Sequence, residues 1–539
     1  MKHSFLDIIR MPDDIKIYTE NSPFRFEEPG EVNDTRATVK CVVENNLLNV
    51  YLSTNGDAVK YVRMRWNGDI SDVQTLLGDV SARILSDDVC WRSFLPHNKM
   101  VWYFHTNDGD SLHSYGVKTG CNCMVYWYAD PYGITAFFDT RNGSGGVVCD
   151  ELLCAQVISR KGIEGEDMYK AAHEFCKQMC DKPNIPATPI YGFNDFYWSY
   201  SAAEESIVLD GAKTLGELTR GFNHRPYMMI DDGWQIAHVR GKYNGGPWHL
   251  TSSNFGPMQE TADKVHALGC NVGIWVRPLL TLQHVPEEAT FKSPYQTAGI
   301  TLDPSHEYSK QQIYNDIKMI SGWGYDMIKH DFTFLDMFGM TRVDMYGILM
   351  TDNWPQHFYD RSKTNAQIVK ELYQTIQDAA GDTLVMGCNT PNHLVAGIHA
   401  IQRSGGDTSG RHFEISRRYG LHSMMRLPQN NAFFKTDPDC AVFTEKVSKE
   451  LGFNYLEMAA ITGSATFASV KPGILDKAEQ KRLQEIFSIA DTIEYPDYAT
   501  ITDWTRTAAP SKFEYKGEKY DYNWYKEYQG VRHIISWEK

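Results

Sequence analysis

The residues with the chemistry to break a bond are carboxylates that each follow a short apolar run. "MMIDDGW" holds Asp231 and Asp232, "MIKHDF" holds Lys329, His330 and Asp331, and "RSGGDTSG" holds Arg403 and Asp407. Any one of them alone reads as a helix N-cap, because an oxygen just after a strand accepts the orphan N–H groups of the next helix. Together they point elsewhere. Two carboxylates delivered from different strands are what glycoside hydrolysis needs: one attacks the anomeric carbon, and the other, kept protonated, hands its proton to the leaving oxygen. Asp331 and Asp407 are the candidates for that pair. Strand alternation puts Lys329 on the same face as Asp331, where a cation would hold the carboxylate ionised for attack, and it turns His330 away toward packing. The acid role asks for a raised pKa at Asp407. Gly405 and Gly406 let the backbone approach a ligand closely. Asp231 and Asp232 repel one another unless cations or sugar hydroxyls satisfy them.

These side chains need a frame. Strand candidates recur at 190–196, 226–232, 271–278, 325–331, 383–389, 400–406, 431–437 and 461–469, with helical stretches at 204–220, 308–321 and 362–380 among them. About eight βα units predict a parallel sheet closed into a (β/α)8 barrel, with chemistry at the C-terminal strand ends. An open doubly wound sheet is the alternative; no Gly-rich phosphate loop follows the first strand. The strand ends then form one rim: Asp195, Tyr197 and Trp198; Asp231, Asp232 and Trp234; Trp275 and Arg277; Lys329 and Asp331; Cys388 and Asn389; Arg403 and Asp407; Asp437 and Asp439.

Ahead of that region, β-branched residues and regular Gly, Asn and Asp punctuation predict an antiparallel β-sandwich. The helix "GEDMYKAAHEFCKQMC" and the proline-rich "DKPNIPATPIYG" close it. The predicted division is 1–185 for the sandwich and helical linker, 186–492 for the barrel, and 493–539 for a short β-rich C-terminal segment. Net charge is −15 with no basic run, which argues against nucleic acid and anionic membranes as partners. No segment has the length and apolarity of a transmembrane helix. The eleven cysteines are scattered without zinc-finger spacing and read as reduced thiols of a cytoplasmic protein; an exported protein whose signal has been removed stays open. The histidines show no H-E-x-x-H spacing, so neither metal nor organic cofactor is expected. A homo-oligomer is compatible with the sequence.

On "DDGW" (231–234), "KHDF" (329–332) and "RSGGD" (403–407), supported by "FYWSY" (196–200), "DPD" (437–439) and "NYLEMAAITGSATFASV" (454–470), the chain resembles clan D of the retaining α-glycosidases. That clan holds α-galactosidase families 27 and 36 and the raffinose synthase relatives. The resemblance spans roughly residues 190–490 and is nearest to family 36, which also carries an N-terminal sandwich. It implies a retaining exo-α-galactosidase acting on an oligosaccharide or other α-glycoside, with Asp331 as nucleophile and Asp407 as general acid/base. It also implies that Asp231 and Asp232 accept hydrogen bonds from the O4 and O6 side of the sugar. Lys329 and Arg403 would contact ring hydroxyls, and Trp198, Trp234 and Trp275 would form pocket walls. Arg277, Cys388 and Asn389 join the substrate-binding set by their place on the rim. His330 stands where the family often has Trp or Tyr, "CNTPNH" (388–393) only loosely matches the cysteine and glycine-rich signature, and the C-terminal β-domain is short. The alternatives are a transglycosylase of the raffinose synthase type, an α-N-acetylgalactosaminidase or other α-glycosidase, and a non-catalytic carbohydrate-binding protein.

Overall fold

The computed structural model describes residues 2–20, 37–83, 89–95, 100–295, 298–339 and 357–525. The β-branched and aromatic residues of the first third form ten antiparallel strands, from Asp14–Thr19 to Leu152–Arg160. Hydrogen bonds link all ten into one sheet, where a sandwich leads one to expect two. The strand Met100–Asn107 makes the join. Met100 and Val101 pair with Trp127 and Tyr126, whereas Tyr103–Asn107 pair with the strand Leu112–Val117. Between them Trp102 takes a left-handed backbone, φ 68°, so the strand bends and changes neighbour at a corner.

The βα region forms a second sheet of nine parallel strands. All eight expected strands are present, seven with tighter bounds, among them Tyr191–Asn194, Tyr227–Ile230, Asn271–Val276, Met327–His330, Leu384–Gly387 and Ile401–Arg403, and the last, Thr466–Val470, ending one residue beyond its expected range. The central ones are buried on both faces, which is why they read as unbroken apolar runs such as "YMMI". At one edge Lys435–Asp437 pairs with Ile401–Arg403. At the other, Ala441–Phe443 pairs with Thr466–Val470. Only Pro438, Asp439 and Cys440 separate these two edge strands in the chain.

Local chemistry sets the helix starts. Asn365–Ala380 begins at a capping box in which Thr364 and Gln367 satisfy each other's backbone N–H groups, and Asp476 with Glu479 does the same for Lys477–Thr492. Residues 500–521 add a three-stranded antiparallel sheet. Among the described residues no helix is long and apolar enough to cross a membrane.

The two large sheets are joined through Arg426, which is fully buried. Its guanidinium donates to the Asp79 carboxylate at 3.0 Å, to Ala82 O at 2.5 Å and to Ser404 O at 3.0 Å. Gln429 adds a bond to Asp79 at 2.8 Å. This fixes the chain at 79–82, which leaves the antiparallel sheet, against the loop that carries Asp407.

Candidate active site

The strand Met327–His330 lies mid-sheet, paired with Gly273–Val276 on one side and Leu384–Gly387 on the other. Both neighbours supply donors to the residue that follows it. Asp331 Oδ1 accepts from Asn389 Nδ2 and from the backbone N–H of Phe332, the latter at 2.7 Å. Trp275 Nε1 donates to Oδ2 at 3.3 Å. Three donors thus converge on this one carboxylate. Phe332 is left-handed, φ 64°, an unfavourable conformation for a bulky residue and of the kind concentrated at functional sites. It turns the chain sharply, and Asp331 keeps 9 % exposure among buried neighbours.

Lys329 does not pair with Asp331 as the alternation suggested. Its Nζ donates to Asp231 Oδ2 at 2.7 Å. Burial works against the ammonium, but the acidic groups around it, Asp231 foremost, together outweigh it and hold Lys329 charged, well above the ordinary lysine range. Asn194 Nδ2 reaches the same oxygen at 2.9 Å. Asp232 is served separately by Gln235 at 2.8 Å and His238 at 3.3 Å, so the adjacent carboxylates are satisfied by different partners. Asp195 accepts from Asp231 N at 3.0 Å; burial, then the nearby Asp231 charge, push its carboxyl up to about 7.

Arg403 is the second charge centre, with 0 % exposure. It donates to Asp439 Oδ2 at 2.8 Å and Asp407 Oδ1 at 3.3 Å, and its Nε lies 3.8 Å from Asp437. Its place is a buried hub for three carboxylates rather than the hydroxyl contact expected of it. Asp439 also accepts from Tyr197 OH and Thr408 N.

Asp407 is 50 % exposed at its side chain. Its Oδ1 accepts from Arg83 Nη1 at 2.7 Å, and Arg83 also lies 3.8 Å from Cys388 Sγ. Partial burial would raise this carboxyl, but Arg83 and then Arg403 overcome that and hold it well below the usual carboxylate range. The expected raised pKa is therefore not found in the free protein. Arg83 comes from the segment that follows the strand Thr75–Asp79 of the antiparallel sheet, 324 residues away, and no sequence pattern marks it.

Other rim residues are committed elsewhere. Trp234 is fully buried, donates to Trp275 O at 2.9 Å and packs on Trp248 and Trp323, so it is core and not a pocket wall. Trp198 lines a cavity of about 150 Å³ with Ile207, Leu218 and Leu483, on the helical side of the sheet. Arg277 binds Asp336 through Nε at 2.9 Å and Nη2, donates to Asn244 at 2.6 Å and stacks over Phe332 at 4.3 Å. It buttresses the turn at Phe332. Burial pushes the Cys388 thiol up, so it stays neutral between the Arg83 and Arg403 guanidiniums. His330 turns from the rim onto Tyr373 and His399, its Nε2 at 2.9 Å from that of His399. Among the described residues no cluster of His, Cys, Asp or Glu is arranged to hold a metal ion.

The result is two carboxylates on one rim with opposite surroundings. Asp331 is enclosed and bonded by neutral donors; Asp407 is open and clamped by cations. An antiparallel sheet docked on a parallel βα sheet is a fold shared with solved α-galactosidases, several of them of glycoside hydrolase family 36. The α-galactosidase of Thermus thermophilus, solved with p-nitrophenyl α-D-galactopyranoside, matches with a TM-score of 0.57 and 14% identity over 91% of this chain and 99% of its own. The family 36 α-galactosidase AgaA of Geobacillus stearothermophilus matches at 0.57 and 12% identity over 89% and 73% of the two chains. A substituted form of that enzyme with raffinose gives 0.58 and 12% over 92% and 75%. No family model matches the chain, and no curated protein matches it by sequence. At these identities the likeness is one of fold.

Proposed function

We propose that the protein is a retaining exo-α-glycosidase, an α-galactosidase above all, with Asp331 as nucleophile and Asp407 as general acid/base. The observation that carries this is Asp331 itself: a carboxylate at the end of a central strand, held by three donors and still open at its edge. Its lone pair attacks C1 as the C1–O bond to the aglycone breaks, giving a β-linked glycosyl-enzyme. Asp407, once protonated, gives its proton to the departing oxygen and then takes one from the incoming water. Retention asks for the two carboxyls about 5–5.5 Å apart. Asp231 and Asp232 are the sugar-binding pair at the strand end two places along the sheet, partnered by Lys329 and His238. Trp275 borders the Asp331 carboxylate.

The same reading takes residues 186–492 as the catalytic unit. Lys435–Asp437 and Ala441–Phe443 are then two halves of one interrupted strand, which would close the parallel sheet into a (β/α)8 barrel.

Hydrolysis of 4-nitrophenyl α-D-galactopyranoside followed by proton NMR tests the mechanism. The first-formed sugar is expected as the α-anomer, and Asp331→Ala is expected to lose about 10³-fold or more of kcat. A β-anomer as first product, or full activity in Asp331→Ala, would overturn it.

A further inference from the structure

An acid catalyst must carry a proton when the aglycone leaves. In the free protein Asp407 cannot, because a carboxylate accepting from two guanidiniums is ionised and acts only as an acceptor. Arg403 is buried and tied to Asp439 and Asp437. Arg83 is the less buried and less heavily bonded of the two. Its side chain is 11 % exposed at the mouth of the site, and its Nε has no hydrogen-bond partner among the described residues.

The backbone that carries Arg83 is anchored. Arg426 holds Asp79 and Ala82, and Trp102 Nε1 donates to Ser81 O at 3.4 Å. Arg83 can therefore turn its head without leaving the site. Buried guanidinium needs an anion beside it, and its planar fork matches carboxylate or phosphate with two parallel bonds. Cys388, its other neighbour, is a neutral thiol and cannot replace Asp407. Asp331, the other carboxylate that acts on Arg83, already has three donors of its own; an anion on the substrate, on the leaving-group side that Asp407 serves, would take the place of Asp407.

We propose that Arg83 selects the aglycone: it takes a carboxylate or phosphate group on the leaving part of the substrate and gives up Asp407 in exchange. Released from Arg83, Asp407 loses one of its two clamping cations and can pick up a proton from water for delivery to the glycosidic oxygen. Neutral aglycones leave the clamp closed. The inference rests on the glycosidase reading above and assigns to that site a substrate class, α-glycosides with an acidic aglycone.

The test compares kcat/KM for three aryl galactosides: 4-nitrophenyl α-galactoside, its 3-carboxy derivative and its 3-phosphono derivative. Wild type is expected to favour at least one charged aglycone tenfold or more, and the larger preference identifies the anion. In Arg83→Gln that preference is expected to fall below threefold, and Arg83→Lys should retain part of it. Equal kcat/KM for all three in wild type overturns the proposal alone, as does a preference that survives in folded Arg83→Gln. If the Gln variant does not fold, an unchanged ratio in Arg83→Lys overturns it instead. No turnover of any of the three by wild type overturns the glycosidase reading and this inference with it.

Discussion

Lys329 Nζ stands 2.7 Å from Asp231 Oδ2, with both groups buried. The pair ties two strand ends together, and each charge depends on the other. Removing one partner of a buried pair leaves a bare charge, at a cost of about 3–5 kcal/mol, whereas replacing both is far milder. Lys329→Met is thus expected to lower the melting temperature by several degrees. Lys329→Met combined with Asp231→Asn should recover much of that loss in the same thermal melt. A double variant less stable than the single one would refute the pairing.

On the proposed glycosidase reading, Asn389 acts on the reaction through Asp331. Losing a hydrogen bond to a charged group costs about 1.5–3 kcal/mol, so Asn389→Ala is expected to reduce kcat by roughly ten- to a hundredfold with little change in KM. Asn389→Asp would set a second anion against Asp331 and be worse. A fall confined to KM would mean that Asn389 binds sugar instead of orienting the nucleophile.

The Arg83 clamp has a signature in pH. As the acid of the proposed mechanism Asp407 must be protonated to act, and its pKa is held low. For a neutral substrate the alkaline limb of kcat/KM, which reports the acid of the free enzyme, therefore lies at low pH in wild type. Arg83→Gln removes a cation, raises that pKa and is expected to move the limb to higher pH. The corresponding contribution to stability has the depressed-carboxylate sign: present above the unfolded value, near 3.9, and lost as pH falls through the lower folded one. Coincident pH profiles for the two proteins would exclude the clamp.

His330 and His399 share one hydrogen bond in the core, and burial pushes His330 down to about 3. A histidine with a depressed folded pKa contributes stability that is full above its unfolded value, near 6.5, and declines as pH falls toward the folded value. The melting temperature is expected to drop between pH 6.5 and 4. The double variant His330→Leu and His399→Leu should show a shallower drop, and equal slopes would rule the pair out as a source.

Much of the frame was legible because each apolar run of the parallel sheet ends abruptly on polar residues. All eight strand positions follow from that pattern, and so does the position of Asp331. What alternation cannot give is the nearest partner across the sheet. It put Lys329 on the face of Asp331, but a strand end two places along the sheet brought Asp231 closer. Nor does a place on a rim say which way a side chain turns: Trp234 and Arg277 follow strands just as Asp331 does, yet one is core and the other is locked to Asp336. Arg83 was invisible, since a contact across 324 residues leaves no local periodicity.

One guanidinium, that of Arg426, takes up acceptors from both large sheets: Asp79 and Ala82 from one, Ser404 from the other. Pulling the sheets apart would strand a buried cation and its anion together. The two halves are thereby expected to melt as a single cooperative unit. Trimming the chain to its parallel half is expected to give an unstable fragment, one also deprived of the arginine that faces Asp407.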